Sequence, residues 1–112
     1  MKGNKINQHK HNVYVVELDR RAIGHKSLRD QRGNLGPDGR CLYVGMTGLD
    51  PKKRFENHRN GHKSCALVRK YGLYLRPKLY RRFNPMSYED AVVSEKQLAQ
   101  RLRRKGHAVH QA

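Results

Sequence analysis

The stretch of residues 41–58 constrains the fold most strongly, because its sequence, CLYVGMTGLDPKKRFENH, reads as a strand, a glycine turn and a helix start in succession. The apolar run Cys41–Met46 predicts the strand. Asp50 followed by Pro51 predicts the helix start. An Asp side chain caps free backbone N–H groups, and proline at the first helical position lacks only a donor that would have no partner anyway.

The same stretch brings together three residue types that suit the cleavage of a phosphodiester. Arg54 and His58 are four residues apart in the predicted helix, so both project from one of its faces. The end of the predicted strand, Tyr43-Val44-Gly45, leads into the same region. Tyrosine, arginine and histidine are therefore expected to converge near a glycine turn.

The charge of the chain indicates its class of partner. The 112 residues suffice for one domain with a modest core, and 25 Lys and Arg against 9 Asp and Glu give a formal net charge of +16. Such a field attracts polyanions, so nucleic acid is the first partner to expect. An anionic membrane surface is the weaker alternative, because no segment has the apolar length of a membrane span. Composition alone favours a ribosomal or nucleoid protein.

The N-terminus and the cysteines predict a cytoplasmic protein. Residues 1–11 are polar and basic, lack the apolar core of a secretory signal, and are expected to form a flexible tail. Cys41 and Cys65 lie in apolar stretches and form no CxxC pair. We therefore expect two buried thiols in a reducing compartment.

The remaining patterns predict a single α+β domain over residues 12–110. The predicted strands are Asn12–Leu18, Cys41–Met46 and Lys78–Phe83. The predicted helices are a short one around Ala22–Arg29, Pro51–Asn60 ended by Gly61, Cys65–Tyr71 capped by Ser64 and ended by Gly72, and a long one from Ser87 to about Lys105. The basic, Gly- and Pro-rich connection Asp19–Arg40 is expected to be a mobile loop that contacts the substrate, and His107 and His110 are expected in a solvated tail.

One carboxylate interrupts the apolar face of the long helix. Placed at roughly 100° per residue, Glu95 falls at the centre of this face. The apolar stripe consists of Tyr88, Ala91, Val92, Leu98, Ala99 and Leu102. A core-facing carboxylate costs several kcal/mol unless it is paired or holds a cation. Two readings stay open: a structural ion pair with a buried arginine, or a ligand of Mg²⁺ or Mn²⁺.

Taken in order, these residues resemble the GIY-YIG nuclease domain. Val13-Tyr14 matches the first motif, Tyr43-Val44-Gly45 the second, and Arg54, His58 and a helical Glu95 follow at the expected places. The likeness covers roughly residues 12–110. It implies a small three-stranded antiparallel sheet flanked by helices, and metal-dependent hydrolysis of nucleic-acid phosphodiesters.

The resemblance also implies a role for each matched residue. Arg54 stabilises the charge of the transition state through its planar fork of donors, and Glu95 holds one Mg²⁺ or Mn²⁺ ion. Tyr14 is the general base or orients the attacking water, and His58 is the rival base because it titrates near neutrality. Tyr43 orients the phosphate or the water.

The chain departs from the family pattern at four places. Asn12 stands where the first motif has Gly, and Met46 where some members carry Lys. The Asn that some members place after the Glu-bearing helix has His107 as its nearest counterpart, and the connection at residues 19–40 is longer than usual. These departures bear on substrate preference more than on chemistry.

Two functions remain in competition at this point. The first is a one-metal endonuclease acting on DNA, and the second is a non-catalytic nucleic-acid-binding module, ribosomal-like or derived from an inactive nuclease. In both, basic residues outside the motifs are expected to contact phosphates. These are Arg20, Arg21, Arg40, Lys52, Lys53, Arg69, Lys70, Arg81 and Arg82.

Overall fold

Two seven-residue strands, both mostly apolar, form the centre of the sheet. The computed structural model describes residues 9–61 and 65–112. Strand β1, Asn12–Leu18, pairs antiparallel with β2, Cys41–Thr47, from Asn12 opposite Thr47 to Leu18 opposite Cys41. Both strands were predicted, and both are buried along almost their whole length. This pair is the framework on which the remaining elements are placed.

Two short strands complete the sheet, in the order β3-β1-β2-β4. Strand β3, Gly72–Leu75, pairs antiparallel with β1, whereas β4, Ala108–Gln111, pairs parallel with β2. The domain is therefore α+β, but its sheet has four strands and is mixed. The expectation of three antiparallel strands describes only the β3-β1-β2 part.

The prediction of a strand at Lys78–Phe83 is wrong. This segment forms two short 3-10 helices, Pro77–Leu79 and Arg81–Phe83, and the third strand lies earlier, directly after a helix. Pro77 has no N–H to give to a sheet ladder, and tight turns still bury Tyr80 while its neighbours Arg81 and Arg82 stay exposed. The alternating pattern in this segment thus reflects turns.

Strand β4 was not predicted, and the expectation that His107 and His110 lie in a solvated tail is wrong. His107 precedes the strand and accepts a hydrogen bond at Nδ1 from the Arg40 backbone N–H at 3.0 Å. His110 lies within the strand opposite Tyr43, and both histidines are half-buried. The folded unit therefore extends to Gln111.

Three α-helices flank the sheet. Helix α1, Pro51–Arg59, begins as predicted: the Asp50 side chain accepts from the Lys52 N–H at 2.8 Å. Helix α2 spans Ala66–Tyr71, and its predicted cap, Ser64, lies outside the described residues. Helix α3, Tyr88–Arg104, is the predicted long helix, with Ser87 Oγ accepting from the Asp90 N–H at 3.1 Å.

The connection between β1 and β2 is folded against the sheet edge, while its mobility and its contact with a substrate stay predictions. It contains two 3-10 helices, Arg20–Gly24 and Arg29–Asn34, in place of the helix expected around Ala22–Arg29. The Gln31 side chain donates to the backbone O of Val109 at 2.7 Å and accepts from its N–H at 2.8 Å. These two bonds cover the outer edge of β4.

The apolar face of α3 is narrower than the sequence pattern indicated. Tyr88 is 55% exposed and Val92 is 44% exposed, so neither belongs to the core. The other four members of the predicted stripe, Ala91, Leu98, Ala99 and Leu102, are buried, and so is Glu95, at 6% exposure. The unusual placement of this carboxylate is therefore confirmed.

The N-terminal boundary and the cysteines differ slightly from expectation. Residues 1–8 lie outside the described part of the chain, but His11 of the predicted tail exchanges two backbone hydrogen bonds with Met86. Cys41 is buried and Cys65 only half-buried, and both are free thiols. In the described part of the chain, no helix has the length and apolar character that crossing a membrane requires.

Candidate active site

The side chain of Tyr14 lies across Gly45 on the neighbouring strand. These residues are opposite each other in the β1–β2 ladder. A Cβ atom at position 45 would stand 2.8 Å from both Cζ and Oη of Tyr14, and 3.0 Å from Cε1 of Tyr43. Only glycine leaves room for the two rings. The glycine of the YVG motif is thus explained by the path of the Tyr14 ring.

His58 reaches the tyrosine hydroxyl from α1. Its Nε2 lies 2.9 Å from Tyr14 Oη, and its Nδ1 accepts from the Cys65 backbone N–H at 3.3 Å. Burial, with a further contribution from the charge of Arg54, lowers the pKa of His58 to about 4. The ring is therefore neutral near pH 7. Because Nδ1 accepts, the single proton of the neutral ring lies on Nε2, which donates to Tyr14.

Two further groups favour an anionic oxygen on Tyr14. Burial raises the pKa of the Tyr14 hydroxyl, while the charge of Arg54 and side-chain hydrogen bonds from Tyr43 and Arg54 act in the opposite direction. Tyr43 itself has a strongly raised pKa, chiefly because it is buried. It therefore stays protonated and remains a donor. The Tyr14 hydroxyl therefore has His58 at hydrogen-bond distance, with Tyr43 and Arg54 close enough to lower its pKa.

Arg54 is the charged member of this group. It lies on α1 one turn before His58 and is half-buried. Its charge lowers the pKa of Tyr14, Tyr43 and His58 alike. A guanidinium that influences all three side chains lies close to each of them, so the structure brings together four of the five predicted catalytic residues.

His110 extends this aromatic cluster. Its ring stacks on Tyr43 with centroids 5.8 Å apart and planes at 27°. On its other side Tyr43 meets His58 edge-on, at 5.6 Å and 76°. The Tyr43 ring is therefore held between two histidines. Burial lowers the pKa of His110, with smaller contributions from Arg103 and His25, so it is neutral at pH 7 as well.

Glu95 stands apart from the four other residues. Its Oε1 accepts from Gln111 Nε2 at 3.1 Å, and none of its hydrogen bonds in the described part of the chain reaches Tyr14, Tyr43 or His58. The strand pleat places Gln111 on the face of the sheet opposite His110 and Tyr43. Even so, the charge of Glu95 contributes to the raised pKa of Tyr14, so the two groups are within electrostatic range.

Glu95 and Tyr14 come within electrostatic range near the end of the pairing between β2 and β4. Strand β4 pairs with β2 only as far as Gln111 opposite Val44, whereas β2 continues to Thr47. Gly45, over which Tyr14 lies, is the first residue beyond the paired segment and has no side chain. Tyr14 and Glu95 therefore lie on opposite faces of the sheet near the end of the β2–β4 pairing.

The environment of Glu95 fits a single divalent ion. Burial raises the pKa of its carboxyl, and the bond from Gln111 opposes this rise only in part. Oε2 has no hydrogen-bond partner among the described residues. One carboxylate oxygen is thus positioned by the protein, and the other has no protein partner in that part of the chain. Mg²⁺ is commonly held by one or two carboxylates with water and substrate phosphates, which suits this arrangement.

Among the described residues, Glu95 is not joined by further carboxylates or by a set of zinc ligands. Within residues 9–61 and 65–112, no group of three or more His, Cys, Asp and Glu side chains is placed to hold a metal. The buried carboxylate that does form ion pairs is Glu17, with Arg76 at 2.6 Å and Arg40 at 3.4 Å. The structural pairing considered for Glu95 therefore belongs to Glu17, on β1.

The predicted phosphate contacts fall into two groups. Arg21 and Arg40 form ion pairs, with Asp19 at 3.0 Å and with Glu17, so part of their charge is already compensated. Arg20 donates to the backbone O of Gly39 at 2.7 Å. The remaining six are exposed: Lys52, Lys53, Arg69, Lys70, Arg81 and Arg82.

Sequence reasoning missed three contributors to this region. Gln111, His110 and Asn84 each act through a contact that only the folded chain creates. The Asn84 side chain bonds both the N–H and the O of Val13 at 2.8 Å, which fixes the chain beside Tyr14. Their polarity was visible, but no periodicity places them near the motifs.

Comparison of the chain with models of protein families, with curated proteins and with solved structures gave no match.

Proposed function

We propose that this protein is a metal-dependent endonuclease that hydrolyses phosphodiester bonds of nucleic acid, most readily DNA, at the site around Tyr14. The convergence of His58, Tyr43 and Arg54 on the Tyr14 hydroxyl carries this proposal. Burial leaves the pKa of Tyr14 raised overall, but the Arg54 charge and the neighbouring donors act toward the phenolate that a base at this position requires. We further propose that β3-β1-β2 is a GIY-YIG-like core to which β4 is added, and that the protein works in the cytoplasm.

In this mechanism Tyr14 takes the proton of the attacking water. The water oxygen forms a bond to phosphorus, its proton passes to the Tyr14 phenolate, and the bond from phosphorus to the leaving oxygen breaks. His58 holds the Tyr14 oxygen through its Nε2–H and is a positioning residue, because its only proton and its only lone pair are both engaged. Tyr43, whose own hydroxyl stays protonated, acts on the same oxygen by lowering its pKa.

Arg54 and Glu95 serve the charge that develops on the phosphate. Arg54 offers a planar fork of N–H donors beside Tyr14, and such a donor typically contributes about 10²–10³ in rate. Glu95 is the residue that would hold Mg²⁺ or Mn²⁺, with Gln111 fixing the orientation of its carboxylate. A bound divalent ion polarises the phosphate and stabilises the leaving oxygen.

The proposal is tested by incubating the purified protein with plasmid, single-stranded DNA and RNA. Each substrate is offered with Mg²⁺, with Mn²⁺ and with excess EDTA. We expect cleavage of DNA that requires the divalent ion. Cleavage that persists in EDTA would exclude the role given to Glu95. Failure to cut any substrate with any metal would exclude the nuclease proposal.

A nucleic-acid-binding module is the second candidate, and the net charge of +16 is the observation that favours it. Such a protein would bind polyanions with strong salt dependence and leave them intact. Burying an uncompensated carboxylate such as Glu95 gives a pure binding protein no advantage. Tight binding without cleavage in the same assay would favour this candidate.

A further inference from the structure

A cleft lies between Arg20, at the start of the first 3-10 helix, and the turn that leads into β2. It holds about 230 Å³ of space and is lined by Arg20, Pro37, Asp38, Gly39 and Arg40. Sites for drug-sized molecules span about 300–1,000 Å³, and a phosphate group needs less room than such a ligand. The cleft therefore has the size for one phosphate and presents two arginines to it.

The protein holds each of these two guanidiniums by one nitrogen. Arg20 Nη1 donates to the backbone O of Gly39 at 2.7 Å, and Arg40 Nη1 donates to Glu17 Oε2 at 3.4 Å. Among the described residues, Nε and Nη2 of both arginines have no acceptor. Each side chain is thus restrained and still keeps donors for a ligand. A planar fork of N–H donors fits the oxygens of a phosphate.

Close contacts hold the turn that forms one wall of the cleft. The Gly39 N–H donates to Gly36 O and the Gly36 N–H donates to Gly106 O, both at 2.9 Å. A Cβ atom at position 39 would collide with the backbone O of Gly106, so this approach requires glycine. The Arg40 N–H donates to His107 Nδ1 at 3.0 Å. The cleft therefore does not depend on a ligand for its shape, which lowers the entropic cost of binding.

The surroundings of the cleft carry an excess of positive charge. Glu17 is shared between Arg76 at 2.6 Å and Arg40 at 3.4 Å, so one carboxylate faces two guanidiniums. Burial lowers the pKa of His107, three cations lower it further, and Glu17 opposes them; these cations are Arg76, Lys105 and Arg40. Cations that outnumber the local carboxylates favour an anion in the cleft.

The cleft is separate from the site around Tyr14. It adjoins the end of the ladder at which Leu18 pairs with Cys41, whereas Tyr14 lies opposite Gly45. Cys41 and Gly45 are four residues apart in β2, which corresponds to about 13 Å at about 3.3 Å per residue. One phosphate cannot contact both places. A nucleic acid can, because each strand of a duplex carries a phosphate about every 3.4 Å along the helix axis.

We propose that this cleft binds one phosphate group through Arg20 and Arg40, and that nucleic acid supplies this phosphate from a position away from the cleaved bond. The proposal rests on the proposed function only for nucleic acid as the source of the phosphate. Asp38 limits the affinity, since its carboxylate lines the cleft and repels an anion there. Among the described residues, Asp38 forms no ion pair with either arginine.

The first test measures the binding of a labelled DNA duplex by fluorescence anisotropy, in EDTA. Arg20→Ala removes an arginine of the cleft, and Arg32→Ala removes an exposed arginine of the same connection that does not line it. Arg20→Ala is expected to lose at least about 10-fold in affinity and Arg32→Ala less than about 3-fold, because only the former loses charge-assisted hydrogen bonds. Arg20→Lys keeps the charge but not the fork, so it should recover little of the loss.

The second test looks for a gain of affinity, which a misfolded variant cannot produce. Asp38→Asn removes the carboxylate that lines the cleft, whereas Asp30→Asn removes an exposed carboxylate elsewhere in the connection. Relief of repulsion at close range should raise DNA affinity by about 5-fold in Asp38→Asn. Screening by salt should keep the gain in Asp30→Asn below about 2-fold.

The third test identifies the source of the phosphate. Inorganic phosphate is titrated into isotope-labelled protein, and the backbone amide signals of Gly39 and Arg40 are followed by NMR. Chloride at equal ionic strength is the control. Both signals are expected to shift with phosphate in the wild type and to stay in place in Arg20→Ala.

The outcomes separate this site from the nuclease proposal. Equal losses of DNA affinity in Arg20→Ala and Arg32→Ala, with amide signals that ignore phosphate, would overturn the site. Phosphate-dependent shifts without a specific loss of DNA affinity would refute the role given to nucleic acid and leave a site for free phosphate. Neither result bears on cleavage, by which the nuclease proposal is judged. A specific loss of DNA affinity in a protein that never cuts would support the site and refute the nuclease.

Discussion

Replacing Gly45 by alanine should separate the position of Tyr14 from the stability of the fold. The added Cβ would lie 2.8 Å from Tyr14 Cζ and Oη, whereas carbon atoms in contact are about 3.5 Å apart or more. The Tyr14 ring must therefore move by about 0.7 Å, the difference between these two distances. This shift disturbs the hydrogen bond of 2.9 Å to His58.

The expected loss is larger in rate than in stability. A misplacement of about 1 Å at a reacting group costs about 10²-fold, so we expect cleavage by Gly45→Ala to slow by about 10- to 100-fold. Overpacking of this kind costs about 1–3 kcal/mol, which should lower the melting temperature by about 4–20 °C in a domain of this size. Single-turnover cleavage and a thermal melt measure the two effects.

Gly33→Ala is the matched control, because a Cβ at position 33 meets nothing within 4 Å. It should cleave and melt like the wild type. The double variant Gly45→Ala, Tyr14→Phe should be no slower than Tyr14→Phe alone, since both changes act on the same hydroxyl. If Gly45→Ala cleaves as fast as Gly33→Ala, the placement of Tyr14 is irrelevant to the reaction and the reasoning fails.

Three other predictions address the base, the arginine and the buried acid. The logarithm of the single-turnover rate should rise with a slope near one from pH 6 to pH 9, because the Tyr14 phenolate fraction grows about tenfold per pH unit below its raised pKa. A rate that is flat above pH 5 would instead identify His58, with its pKa of about 4, as the base. Arg54→Ala should bind DNA within about threefold of wild type but cut it about 10²–10³-fold more slowly. Arg54→Lys should restore little of the lost rate. An equal loss of rate in Lys105→Ala would mean that charge in general drives the reaction. Arg76→Ala should lower the free energy of unfolding by about 2–4 kcal/mol in urea titrations, because it leaves the buried Glu17 with only the longer Arg40 contact; a loss no larger than that of Arg40→Ala would refute this.

The elements that the sequence predicted are those with strong local patterns. The two central strands are mostly apolar, and α1 and α3 begin with side-chain caps that the structure contains. The two short strands were missed because four residues hold too little periodicity, and the parallel pairing of β4 depends on a partner more than sixty residues away.

The candidate site shows the same division between local and distant information. The sequence marked Glu95 as unusual because this residue interrupts the apolar face of a helix. It did not mark Glu17, because Val16 and Leu18 on either side are buried as well and β1 therefore shows no alternation of apolar and polar residues. The contacts of Gln111, His110 and Asn84 depend on how strands and turns are joined in space. Motif order predicted which residues meet around Tyr14, but not that Glu95 contacts Gln111 on the opposite face of the sheet.

The most direct measurement is single-turnover cleavage by Glu95→Gln, with DNA binding measured in parallel in EDTA. Glutamine keeps the shape of the side chain and an oxygen that can accept from Gln111, but it removes the charge that a divalent ion needs. Glu89→Gln, an exposed acid in the first turn of the same helix, is the control. We predict that Glu95→Gln binds DNA like the wild type and cleaves it at least about 10²-fold more slowly, while Glu89→Gln cleaves normally. Undiminished cleavage by Glu95→Gln would contradict the one-metal mechanism at this site.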